Sequence, residues 1–93
     1  MPIPPRIQIP LAWIKWTRQE TWIECKGRTV GEAISELQAQ YPAIGERLLD
    51  ETGKPRGYVN LFVNQEDIRF LSRFNTPLCP GDELSIVLAM VGS

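Results

Sequence analysis

Ile7-Gln8-Ile9 alternates apolar with polar, and Ile3, Ile7, Ile9 and Leu11 share one parity, the pattern of a half-buried strand. Pro10 predicts that this strand lies at a sheet edge or ends early, because proline cannot donate to a ladder. After a polar bend at Thr17-Arg18-Gln19-Glu20, the segment Thr21-Trp22-Ile23-Glu24-Cys25 alternates again. It places Ile23 and Cys25 on one face and Trp22 and Glu24 on the other, so the two strands predict an N-terminal hairpin. Lys26-Gly27-Arg28 turns the chain, and Thr29-Val30-Gly31-Glu32 has the Thr-x-x-Glu form of a capping box opening a helix. Val30, Ile34, Leu37 and Tyr41 then follow the spacing of one buried helical stripe. Pro42 disfavours helical geometry at Tyr41 and ends that helix. Ile44, Leu48 and Leu49 predict a short extra turn before the exposed polar loop from Asp50 to Gly57.

Tyr58-Val59-Asn60-Leu61-Phe62-Val63 is the strongest strand pattern in the chain. Asn64-Gln65-Glu66-Asp67 turns it toward a short extended piece, Ile68-Arg69-Phe70, and Leu78 to Glu83 forms a further turn. The final run, Leu84 to Val91, is apolar enough to occupy the centre of a sheet. Two strands, one helix and two or three more strands predict an α+β domain: a mixed sheet of four to five strands with one main helix packed on one face. A last strand in the sheet centre presents the end of the chain, residues 91–93, as a flexible tail.

Composition narrows the chemistry. The 93 residues, 43% hydrophobic, supply one small core and too little for a second domain, so residues 1–93 are expected to form a single domain. Lys+Arg 10 against Asp+Glu 11 leaves no electrostatic footprint for grasping phosphate backbones, so nucleic acid is not an expected partner. Histidine is absent, which removes His-based acid–base catalysis and the commonest metal ligand. Catalytic groups are therefore expected from a partner. Cys25 and Cys79 stand in no CxxC spacing and are expected to be reduced and buried. No run approaches the roughly 20 apolar residues of a membrane span, and a cytoplasmic location without membrane contact is expected.

Five stretches carry a resemblance: Thr29-Val30-Gly31-Glu32-Ala33-Ile34; Glu46-Arg47-Leu48-Leu49-Asp50; Tyr58 to Asn64; Glu66-Asp67-Ile68-Arg69-Phe70; and Pro80-Gly81-Asp82-Glu83-Leu84-Ser85-Ile86. With the element order, they make nearly the whole chain resemble the MoaD/ThiS family of ubiquitin-like sulfur carrier proteins. The Val-Asn-x-x-Val-Asn-x-Glu-Asp-Ile-Arg-Phe stretch is closer to the CysO-like branch than to the carriers dedicated to thiamin. The resemblance implies a ubiquitin-like β-grasp fold and a carrier that is not an enzyme. In such proteins an ATP- and Mg-using adenylating partner, similar to ubiquitin-activating enzymes, converts the C-terminal carboxylate into an acyl adenylate. Sulfur then displaces the nucleotide to give a thiocarboxylate. A synthase receives it, by resemblance either a molybdopterin synthase large subunit or a cysteine synthase. The carrier needs no cofactor of its own, and its sulfur-carrying tail falls here on Gly92 and Ser93.

The tail departs from the family pattern, which ends Gly-Gly, whereas this sequence ends Met90-Val91-Gly92-Ser93. Glycine suits a tail threaded into a narrow channel, and Ser93 adds a Cβ and a hydroxyl beside the carboxylate. Three explanations stand open: a matched partner tolerates Ser93, a protease removes it, or the protein has left sulfur chemistry and serves as a binding or regulatory module. The second candidate site is a surface. If Val59, Leu61 and Val63 face the helix, alternation sends Asn60 and Phe62 to the other face with Ser85, Val87 and Ala89. Phe62, Val87 and Ala89 are then the expected partner-docking residues, in kind with the face through which the family docks its enzymes. By parity Trp22 extends the patch, while Trp13 and Trp16 are equally suited to the core. The carboxylate pairs Glu66-Asp67 and Asp82-Glu83 fit turn roles better than acid–base chemistry. Arg69 and Arg73, with Arg47 or Arg56, could form a small basic patch against a partner's acidic rim, but a solvated face fits them better. No phosphate-cradling motif is present.

Overall fold

A computed structural model describes residues 3–89. Its sheet has the order β2-β1-β5-β3-β4, with β1 at Arg6–Gln8, β2 at Trp22–Glu24, β3 at Val59–Val63, β4 at Glu66–Asp67 and β5 at Glu83–Leu88. β1 runs antiparallel to β2, with Ile7 opposite Ile23, and parallel to β5, with Ile7 opposite Leu84. β5 in turn is antiparallel to β3, with Leu61 opposite Ile86. The last strand thus occupies the sheet centre, as its unbroken apolar run predicts, and the architecture is the expected β-grasp.

The helix over Val30–Gln40, α1, forms where the sequence places it. Thr29 Oγ1 accepts from the Glu32 N–H at 3.2 Å, the first half of the capping box. The Glu32 carboxylate reaches one residue further back than a closed box requires and accepts from the Arg28 N–H at 2.9 Å. Val30, Ala33, Ile34 and Leu37 bury one stripe against Ile7, Ile23, Leu61, Leu84 and Ile86 of the sheet. Tyr41 is half-buried at the junction, and Pro42 opens a second helix, α2, over Pro42–Leu48. The short extra turn is therefore a helix of its own. Pro42 suits its first position, where no backbone donor is needed.

Several expectations are corrected. Of the two readings of Pro10, the early strand end holds and the sheet edge does not, since β1 lies between β2 and β5 and Pro10 leads from it into a 3-10 turn over Leu11–Trp16. The parity that buries Ile7 and Ile9 consequently fails outside the strand, leaving Ile3 and Leu11 exposed. Ile68-Arg69-Phe70 is a 3-10 turn rather than an extended piece, because the Asp67 carboxylate caps it by accepting from the Arg69 N–H at 2.8 Å. Cys25 is buried and free as expected, whereas free Cys79 is exposed. Cys79 sits on a turn closed by Gly81 at φ +86, a left-handed conformation that glycine adopts without cost, and its N–H donates to Asp82 Oδ2 at 2.8 Å. Trp13 belongs to the core; Trp16 packs half-buried against it, with Lys15 and Arg47 over its ring.

Candidate functional site

β3 alternates buried and half-buried residues, so Val59, Leu61 and Val63 enter the core while Asn60 and Phe62 take the opposite face. In β5, Leu84 and Ile86 go inward and Val87 stands exposed. The register places Val87 directly opposite Asn60 and Phe62 directly opposite Ser85. Phe62 and Val87 are therefore diagonal neighbours on one face, a spacing that an aromatic ring can span. Phe62 is half-buried rather than fully presented, and Ala89 is exposed just beyond the end of β5. The Ala89 N–H donates to the Tyr58 carbonyl at 2.7 Å, which extends the ladder past the last strand residue. Gly92 and Ser93, the expected sulfur-carrying tail, lie outside the described residues.

Polar groups border this apolar strip on the β1 side. Ser85 Oγ donates to Gln8 Oε1 at 3.2 Å, Arg6 and Glu83 form an ion pair at 2.7 Å, and the Arg6 guanidinium lies 4.3 Å from the Trp22 ring centroid. Trp22 is thus tied to a cation and does not extend the patch as a bare apolar surface. An apolar centre with a polar rim is the anatomy of a protein-docking surface. Tyr58, exposed and bonded through its carbonyl to Ala89, was read as a strand residue but not as part of this surface; its place two residues ahead of Asn60 in the strand pattern was the available signal. The Tyr58 hydroxyl donates to the Arg47 carbonyl at 3.0 Å and so joins the end of β3 to α2.

The acidic residues serve turns. Asn64 and Gln65 hold the β3–β4 turn at φ 50 and 74, and Asn64 both donates to Asp82 Oδ1 and accepts from the Glu83 N–H, each at 3.0 Å. Asp67 pairs with Arg69 at 2.7 Å; the hydrogen bonds from the Arg69 side chain, then from its backbone, hold the Asp67 carboxyl below its ordinary range. Burial, reinforced by Glu36, pushes the Cys25 thiol up to about 11, and its Sγ lies 3.5 Å from the Pro5 carbonyl oxygen. Of the four arginines weighed for a basic patch, Arg56, Arg69 and Arg73 line one cleft of about 750 Å³, while Arg47 lies elsewhere over Trp16.

Comparison with known proteins is consistent along the chain. The model of the ThiS family matches residues 11–92. The sulfur carrier protein CysO of Mycobacterium tuberculosis is 36% identical over 88 residues, spanning 92% of this chain and 95% of that protein. Among solved structures, the M. tuberculosis CysO crystal structure superposes with a TM-score of 0.84 at 35% identity, covering 92% of this chain and 99% of that one. A chain from the crystal structure of the Amycolatopsis orientalis BexX/CysO complex gives a TM-score of 0.86 at 32% identity, covering 96% and 99%.

Proposed function

This chain belongs to the ThiS family and is a sulfur carrier protein, the substrate of partner enzymes rather than an enzyme, and we propose that it carries sulfur on the tail formed by Gly92 and Ser93. In the first step a carboxylate oxygen of the tail attacks the α-phosphate of ATP, held with Mg by the adenylating partner, and pyrophosphate leaves. A sulfide-equivalent nucleophile then adds to the activated carbonyl, AMP departs, and the thiocarboxylate remains. Phe62, Val87 and Ala89 dock that partner and, in turn, the sulfur-accepting synthase, of the molybdopterin or cysteine-biosynthetic kind. The free thiols of Cys25 and Cys79 go with a reducing cytoplasm as the place of action.

The observation that supports this reading most is the family match through residue 92 on a sheet whose central strand is the last one. That topology leaves the exposed strip around Val87 and Ala89 next to where the tail departs, so one enzyme surface can hold the sheet face and receive the terminus together. A relative seen in complex with BexX supports docking to a partner protein. The alternative, a binding module without sulfur chemistry, is not favoured by the carrier relatives. The experiment is adenylation with the adenylating enzyme of the same cell, followed as ATP–pyrophosphate exchange, on the native chain and on Ser93→Gly. Exchange that depends on the chain and rises with Ser93→Gly fits a tail that works despite its serine. No exchange with either supports the binding module.

A further inference from the structure

β4 pairs only with Phe62 and Val63, so the first part of β3, Val59 to Leu61, is a sheet edge with no strand beyond it among the described residues. The bonds from the Ala89 N–H to the Tyr58 carbonyl and from the Asn64 N–H to the Glu83 carbonyl fix which backbone groups face β5. By alternation those of Val59 and Leu61 face outward. The Val59 N–H is taken by the Arg56 carbonyl at 2.9 Å, which leaves the Val59 carbonyl on the outer side. This edge is one wall of the 750 Å³ cleft, whose other walls are the 53–57 loop and the 67–75 segment.

Charge is concentrated there. Lys54, Arg56, Arg69 and Arg73 line the cleft against the single carboxylate of Asp67, in a chain whose net charge is -1. Asp67 is engaged by Arg69, and Arg56 Nε donates to the Glu46 carbonyl at 2.8 Å, which anchors its guanidinium at the rim. Arg73 holds φ +51, a left-handed conformation that strains a non-glycine residue, and makes no ion pair among the described residues. Cations beside an open strand also guard against edge-to-edge pairing of copies. That role does not require an arginine held at a strained position across the cleft from the strand.

We propose that this cleft receives an extended acidic segment of the enzyme that acts on the tail, laid along Val59–Leu61 as an added strand with its carboxylates meeting the four cations. Main-chain bonds would supply affinity and the cations specificity, the division of labour of strand addition. A small anion would engage one or two cations and leave the strand edge unused. The proposal rests on the carrier reading, since it gives the tail-handling partner a second point of attachment beyond the Phe62–Val87 face.

The test is a titration of the isotope-labelled full chain with a synthetic capped peptide, Glu-Val-Glu-Val-Glu-Val, followed by amide shifts. Saturable shifts at Val59, Asn60, Leu61, Arg69 and Arg73 are expected, weakened about threefold to fivefold by Arg56→Gln or Arg73→Gly, the range of an exposed ion pair. Arg73→Gly also relieves the backbone strain and is expected to raise the melting temperature, so its weaker binding is not unfolding. The same peptide N-methylated at every residue has no donor on either edge, cannot pair with a strand and is expected to give no saturable shifts at Val59–Leu61. Equal binding of the two peptides, no binding of either, or indifference to both arginine variants overturns the proposal. The titration contains neither enzyme nor sulfur, so its failure leaves sulfur carriage standing, and absence of a thiocarboxylate leaves the titration standing.

Discussion

Val87 faces Asn60 directly across the β3–β5 ladder, 45% exposed, with Phe62 one diagonal step away. A branched apolar side chain on the central strand would ordinarily be covered, and here the described residues leave nearly half of it open. Val87→Asp is therefore expected to keep the fold at a cost of about 1 kcal/mol in denaturant unfolding, the span of strand preference between the two residues. The same variant is expected to lower chain-dependent pyrophosphate exchange about tenfold or more, since a charge in the apolar centre of an interface goes unpaired. Unaltered exchange would remove the sheet face from the docking role.

The Thr29 cap predicts a purely structural effect. Thr29→Ala removes the acceptor for the Glu32 N–H and is expected to cost about 1 kcal/mol of stability, read as a lower denaturation midpoint with unchanged slope. Adenylation at a temperature where the variant stays folded is expected to match the parent, because α1 packs on the sheet face opposite Val87 and Phe62.

Two thiols in one small fold are expected to react very differently. Exposed Cys79 should be alkylated at once under native conditions, and buried Cys25 only as fast as the chain opens, which peptide mapping after timed labelling resolves. The raised Cys25 pKa also sets a sign. Folding favours the protonated thiol, so its contribution is complete below the ordinary value of 9.0 and fades as pH rises toward about 11. The stability difference between parent and Cys25→Ala should shrink over that interval and stay flat below it.

Asp67 gives the opposite dependence. Its folded pKa lies below the ordinary 3.8, so its pairing with Arg69 stabilises the fold above that value and is lost as pH falls through the folded one. In urea melts across acidic pH, the gap between parent and Asp67→Asn is expected to be constant near neutrality and to close only below about pH 4. A gap that widens on acidification contradicts the assignment.

These effects were legible in the sequence to different degrees, for physical reasons. The stripe of Val30, Ile34 and Leu37 and the alternation in Val59 to Val63 report burial at helix and strand period, and the fold places both as read. The turns at Leu11–Trp16 and Ile68–Phe70 are too short to leave a period, and in each a local device decides: Pro10 ending the strand, Asp67 capping the turn. Phe62 and Val87 followed from parity alone, because strand direction fixes the face. Arg56 and Arg73 were grouped with Arg47 and Arg69 only as candidates, with no period to say which of them meet. They meet only because the 53–57 loop and the 67–75 segment close on the same edge of β3, a juxtaposition that spacing along the chain does not encode.

The most direct measurement is the intact mass of the protein isolated from its native cell during sulfur demand, with fragmentation to read the last residue and its chemistry. Sulfur carriage predicts a species heavier by the difference between a sulfur and an oxygen atom, with the added mass on the terminal residue, whether Ser93 or an exposed Gly92. A population ending entirely in an unmodified carboxylate under those conditions would contradict it.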